Sequence, residues 1–174
     1  MALLAIAYPL LTPAGAAWIE AYRRVHDERF VDIVPAHFTF VFPTTGVDAA
    51  ALEAHVRSTV AGHAAFPFAI RGTKAVADAF SDDWHVFLVP EEGWAEVAAL
   101  HEALYTGVLA PHLRSDMPFI PRVGIARSTS QERCEHLARE LAAAGLDVQG
   151  VIASLDVVEF DGTSVRTLAA IPLG

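Results

Sequence analysis

His37 and Thr39 are the residues whose types and spacing best suit chemistry. They lie in His37-Phe38-Thr39-Phe40, part of a segment, Val34 to Pro43, that reads as a strand. Side chains alternate between the faces of a strand. His37, Thr39 and Val41 are therefore expected on one side, and Phe38, Phe40 and Phe42 on the other, where phenylalanines belong to the core. An imidazole and a hydroxyl two residues apart are about 7 Å from each other along the strand, close enough for one phosphate to touch both. The imidazole can move a proton near neutral pH, and the hydroxyl can donate to a non-bridging oxygen. A His-x-Ser/Thr triplet is also what chance supplies about once in such a chain, and the alternative is a satisfied strand histidine on a half-exposed face.

The elements that must position this triplet follow a pattern. The apolar run Met1 to Leu11 reads as a buried first strand that stops at Thr12-Pro13, where Thr12 can cap a helix containing Trp18, Ile19, Tyr22 and Val25. After the His37 strand, Asp48 opens a helix with Leu52, Val56 and Val60 on one face. Two extended runs follow, Phe66 to Val76 and Trp84 to Pro90, joined at Ser81-Asp82-Asp83. A helix from Gly93 to Leu109 leads to a strand from Phe119 to Ala126 and a helix opened by the capping box Thr129-Ser130-Gln131-Glu132, closing near Gly145. Asp147 to Phe160 and Ser164 to Ile171 then flank the turn Asp161-Gly162.

Helix, strand, helix, strand, strand is thus written twice, over approximately residues 12–90 and 93–172. No Pro, Gly or Ser-rich linker separates the halves, so residues 1–174 are expected to form a single bilobal domain. Tight turns imply antiparallel pairing with helices on one face, which makes the class α+β, with two pseudo-symmetric lobes and a central cleft. In the second half, Arg122 and Gly124 occupy the slots of His37 and Thr39, with Arg122 85 positions after His37.

With its repeated strand motif the chain resembles the 2H phosphoesterase superfamily, the 2′-5′ RNA ligase-like proteins and cyclic phosphodiesterases, over essentially its whole length. The signature of that family is a pair of His-x-Thr/Ser motifs in two pseudo-symmetric lobes. One histidine acts as general base and the other as acid, the hydroxyls hold the phosphate, and no metal or other cofactor is needed. The resemblance assigns His37 to the first catalytic histidine and Thr39 to its phosphate-binding partner, with a small phosphorylated ligand or a short RNA end as partner. Arg122 departs from the second histidine and Gly124 from the second hydroxyl residue. A guanidinium holds its proton at neutral pH and so cannot replace an imidazole in proton transfer, although it can clamp a phosphate. Gly124 leaves room for a ligand. The alternative for Arg122 is a surface arginine paired with an acid. Two functions follow, a phosphodiesterase or a catalytically degenerate module that binds phosphate or nucleotides.

The remaining candidates are subsidiary. His85, on the strand with Phe87 and Val89, could border the cleft and substitute for the missing histidine, or be a core or edge histidine. Arg127, Arg71 and Lys74 are possible secondary phosphate contacts, or parts of a solvated face. The other histidines make no His-x-x-x-His pair with an acid, so no metal site is expected. The 53% hydrophobic content suits a packed core, and a net charge of −9 argues against gripping long nucleic acid. Cys134, the single cysteine, allows no intrachain disulfide, and the apolar start is too short to span a bilayer. A cytoplasmic protein without a membrane partner is expected.

Overall fold

The computed structural model describes residues 1–79 and 81–174. Its strands are β1 (Ala2–Ala7), β2 (Leu10–Leu11), β3 (Phe38–Thr44), β4 (Phe66–Ala77), β5 (Trp84–Glu92), β6 (Val123–Ser128), β7 (Val148–Ile152), β8 (Ser154–Phe160) and β9 (Val165–Pro172). Its helices are α1 (Pro13–His26), α2 (Ala49–Val60), α3 (Trp94–Leu104) and α4 (Gln131–Ala143). The expected α+β class holds: the strand pairings are antiparallel and the helices flank the sheet.

Local chemistry starts the helices where expected, with one shift. Thr12 accepts from the Gly15 N–H and Asp48 from the Ala51 N–H. At α4 the cap is Ser130, which accepts from the Arg133 N–H, so the helix starts one residue later than the capping box implied. The expected helix to Leu109 ends as α3 at Leu104 and is followed by a 3₁₀ turn over Gly107–His112.

Two runs expected as single strands are each broken in two, and the breaks shape the molecule. Among the described residues the sheet order is β2-β7-β4-β5-β6-β3-β1-β8-β9. β1 and β2 are therefore six strand spacings apart, about 29 Å on a flat sheet, yet only Tyr8 and Pro9 separate them, a span of at most about 11 Å between Ala7 and Leu10. β7 and β8 are equally far apart in the order and only Ala153 joins them. Both links require a strongly curled sheet. The edge-to-face contact of Phe38 and Phe68, 5.1 Å between centroids from strands three places apart, is the packing that results. Gly150 lies at this seam, where a Cβ would come within 2.7 Å of both the Leu10 carbonyl oxygen and Phe68 Cζ.

At the centre, β3 and β6 share one bridge, Phe38 with Val123. β1 and β5 flank this pair, and β8 and β4 lie outside them. Beyond the bridge α3 takes over as partner to β3. His101 Nδ1 donates to the Phe40 carbonyl at 2.8 Å, and the Phe42 N–H donates to the Tyr105 hydroxyl oxygen at 3.0 Å. His101 is held in turn by stacking on Phe119, 3.6 Å between centroids and 3° between planes. These contacts satisfy backbone groups where the central strands part.

The packing of α3 on β3 predicts that His101→Leu, which orphans the buried Phe40 carbonyl, costs about 1–3 kcal/mol. Tyr105→Phe is expected to cost a similar amount. Urea midpoints at constant m would measure both, and an unchanged midpoint for His101→Leu would contradict this role for α3.

Candidate active site

The central bridge sets the geometry of the candidate residues. Neighbours of an antiparallel pair oppose one another, so Thr39 lies across from Arg122 and His37 across from Gly124. These four share the face opposite Phe38 and Val123, which are 0% and 1% exposed. His37 immediately precedes β3 and Arg122 immediately precedes β6, so each motif enters its strand at the same point. The two are diagonal neighbours across the pair, about 7–8 Å apart at Cα, a gap of the size of a phosphate group.

One expectation about faces is corrected here. β1 pairs Ile6 with Thr39 but Ala5 with Val41, which leaves Phe40 as an extra residue in a bulge. The alternation therefore shifts: Phe40 and Val41 are both fully buried, while Phe42 is half-buried and meets Arg122. Nothing in the apolar run around Phe40 marks the bulge.

His37 is oriented by its own backbone. Its Nδ1 is 2.8 Å from the Pro35 carbonyl oxygen. A carbonyl only accepts, so Nδ1 carries the proton and the neutral ring presents the Nε2 lone pair. Burial pushes its pKa below the ordinary imidazole value. The Pro35 bond opposes this shift, and the charge of Arg23 adds to it. Arg23 itself is buried at the end of α1, where Nε and Nη2 each lie 3.3 Å from Asp27 Oδ2.

Arg122 is held as a cation by aromatic rings. Its Cζ lies 4.4 Å from the centre of the Phe87 ring and 5.3 Å from that of Phe42. Among the described residues it has no hydrogen bond or ion pair with an acid. Burial lowers its pKa, partly offset by the charge of Asp78, but a guanidinium stays protonated in proteins. The surface pairing considered from sequence is absent among the described residues, and the half-buried charge is directed at the face that carries Thr39.

The other candidates have fixed positions. His85 Nε2 is 2.9 Å from Asp78 Oδ2, and its ring stacks on Phe87 at 5.5 Å and 5°. Phe87 pairs with Gly124 and Leu88 with Val123, so His85 and Arg122 lie on opposite sides of Phe87 along the strands. Arg127 forms an ion pair with Asp83, whose carboxylate also accepts from the Ser81 hydroxyl. Arg71 pairs with Asp147 at 3.2 Å. At Gly124 an added Cβ would meet only Phe87, at 3.8 Å, so there is room for a ligand or a larger side chain. The aromatic walls Phe42 and Phe87 were missed from sequence, because strand aromatics read as core.

The sequence model of the 2′-5′ RNA ligase superfamily matches residues 11–164, and the chain belongs to that superfamily, among the 2H phosphoesterases. Comparison with curated proteins finds no match. Among solved structures, Usb1 of Kluyveromyces marxianus aligns with a TM-score of 0.60 and 14% identity, covering 98% of this chain and 97% of its own. Escherichia coli LigT complexed with 3′-AMP aligns at 0.56 and 18% identity, covering 98% of each chain. Kluyveromyces marxianus Usb1 with uridine monophosphate aligns at 0.57 and 13% identity, also covering 98% of each.

The environments of His37, His26 and His101 predict an acid-sensitive fold. Burial is the leading cause that lowers each pKa below 6.5. Between the lowered folded values and 6.5 the unfolded chain binds more protons, so these groups contribute stability that is complete above pH 6.5 and lost as pH falls below it. Urea midpoints taken from pH 7.5 to 5.5 should fall, and a flat series would contradict the lowered pKa values of these rings.

Proposed function

We propose that the chain is a metal-independent 2H-type phosphodiesterase acting on a cyclic phosphate or a short RNA-type phosphoester. In this proposal His37 is the acid/base residue and Arg122 stands where the family has its second catalytic histidine. One observation carries the proposal: an arginine without a carboxylate partner faces Thr39 across the central strand pair, diagonal to the free Nε2 of His37. The same proposal treats residues 1–174 as one bilobal domain, because the order β4-β5-β6-β3-β1-β8 is balanced about the Phe38–Val123 bridge.

In the proposed reaction Thr39 Oγ1 and the guanidinium of Arg122 hold two non-bridging oxygens. His37 Nε2 takes the proton from water or a ribose hydroxyl as that oxygen bonds to phosphorus. The bond from phosphorus to the leaving oxygen breaks, and that oxygen departs with the electron pair and takes up a proton from solvent. The guanidinium stabilises the charge that grows on the phosphoryl oxygens. Positive charge is thus provided by the chain itself, and no step needs a metal. Small nucleotides suit the site, in keeping with the 3′-AMP and uridine monophosphate complexes of LigT and Usb1. No helix among the described residues is long and apolar enough to cross a membrane. A cytoplasmic location is proposed on the single buried thiol, Cys134.

A second function is favoured by one specific observation, that Arg122 cannot exchange a proton. The chain would then bind phosphate-bearing ligands without turnover, and calorimetry with a nucleoside 2′,3′-cyclic phosphate would show heat of binding without product.

For the enzyme, His37→Ala should reduce turnover of a nucleoside 2′,3′-cyclic phosphate by about 10²–10⁴-fold, and Arg122→Ala by about 10²–10³-fold. Chelator should leave the rate unchanged. The rate should rise with pH along one limb set below the ordinary imidazole value and then level off, since only the neutral His37 is the base. A wild-type activity untouched by His37→Ala would overturn the assignment.

A further inference from the structure

The proposed phosphodiesterase site has a base but lacks a matching acid, and this limits what it can cleave. Arg122 keeps its proton. His85, the candidate for an acid read from sequence, has Nε2 bonded to Asp78 and lies behind the Phe87 ring as seen from Arg122. Tyr8, whose ring is 6.4 Å from that of His37, stands on the β1 side of His37, away from Arg122, with its pKa raised by burial. An alkoxide leaving group would depart without protonation, which is slow. A leaving group stable as an anion needs none.

A second cation shares the face. Lys74, the single lysine, pairs across β4 and β5 with Phe87, and Phe87 pairs across β5 and β6 with Gly124. Lys74, Phe87, Gly124 and His37 therefore form one row over four strands. Lys74 is exposed and has no acid partner among the described residues. Its Cα lies two strand spacings from Gly124, about 10 Å, a gap that its four-carbon stem and a second phosphate can span.

We propose that this site acts fastest on phosphate diesters and phosphoanhydrides whose leaving group departs as a stable anion, above all a phosphoanhydride joining two nucleotide-like halves, with Arg122 on the attacked phosphate and Lys74 on the departing one. This rests on the phosphodiesterase function proposed above. In the step, His37 Nε2 takes a proton from water and the water oxygen bonds to phosphorus. The bond from phosphorus to the bridging oxygen breaks, and its electron pair leaves with the second phosphate, paired with Lys74. His37 then returns its proton to solvent.

The test is a leaving-group series: thymidine 5′-aryl phosphodiesters with phenols of graded acidity, a dinucleoside 5′,5′-diphosphate and a nucleoside 2′,3′-cyclic phosphate. Wild-type kcat should fall about tenfold for each unit rise in leaving-group pKa, and the diphosphate should be cleaved faster than the cyclic phosphate. Arg122→His should flatten the slope and raise turnover of the cyclic phosphate. Lys74→Ala should lower turnover of the diphosphate about tenfold relative to that of the aryl esters. A flat wild-type slope would overturn the proposal while leaving the phosphodiesterase intact, and a slope that steepens on His85→Ala would identify His85 as the acid. If no member of the series is cleaved, the phosphodiesterase itself fails and the proposal with it.

Discussion

The single bridge between Phe38 and Val123 is the contact on which the candidate site depends, because it joins the central strands at one point and lets them part beyond it. Its two side chains are buried in the core. This fixes which face their neighbours present and brings Thr39 opposite Arg122 and His37 opposite Gly124. A one-residue slip in this pair would turn every candidate group into the core. The position is held against such a slip by the bulge at Phe40 and by α3, whose His101 and Tyr105 bond to the backbone on either side of Val41. Stability and placement of the site are thus served by the same residues.

Electrostatics around the bridge separate two kinds of charge. Arg23, Arg71 and Arg127 each meet an aspartate, whereas Arg122 meets aromatic faces. A guanidinium stacked on rings is held in place yet keeps its hydrogen-bond donors for a ligand. His37 is set in a complementary way, its Nδ1 fixed by Pro35 and its charged form disfavoured by burial. In the proposed site an anion between them would meet a cation, a hydroxyl and a neutral imidazole.

Much of this was legible from sequence. The pairing of His37 with Arg122 at an 85-residue offset needed only the repeated strand, and Thr12 and Asp48 marked their helix starts. The breaks at Tyr8-Pro9 and Ala153 were not legible as sheet crossings, since apolar residues continue on both sides and the curl that separates the strands is a property of the whole sheet. The bulge at Phe40 was hidden for a related reason: it lies in a run where apolar residues suit either face, so the pattern carries no sign of the shift. Arg122 could be placed by the repeat, but its aromatic walls come from that bulge on one strand and from register on another.

In the proposed function one phosphoryl group binds between His37, Thr39 and Arg122, on the open side of the Phe38–Val123 bridge. A crystal structure of the protein soaked with a nucleoside monophosphate tests this most directly. Phosphate oxygens are expected within hydrogen-bond distance of Thr39 Oγ1 and the Arg122 guanidinium, with His37 Nε2 facing the phosphorus. A nucleotide bound elsewhere while this face stays empty would contradict it.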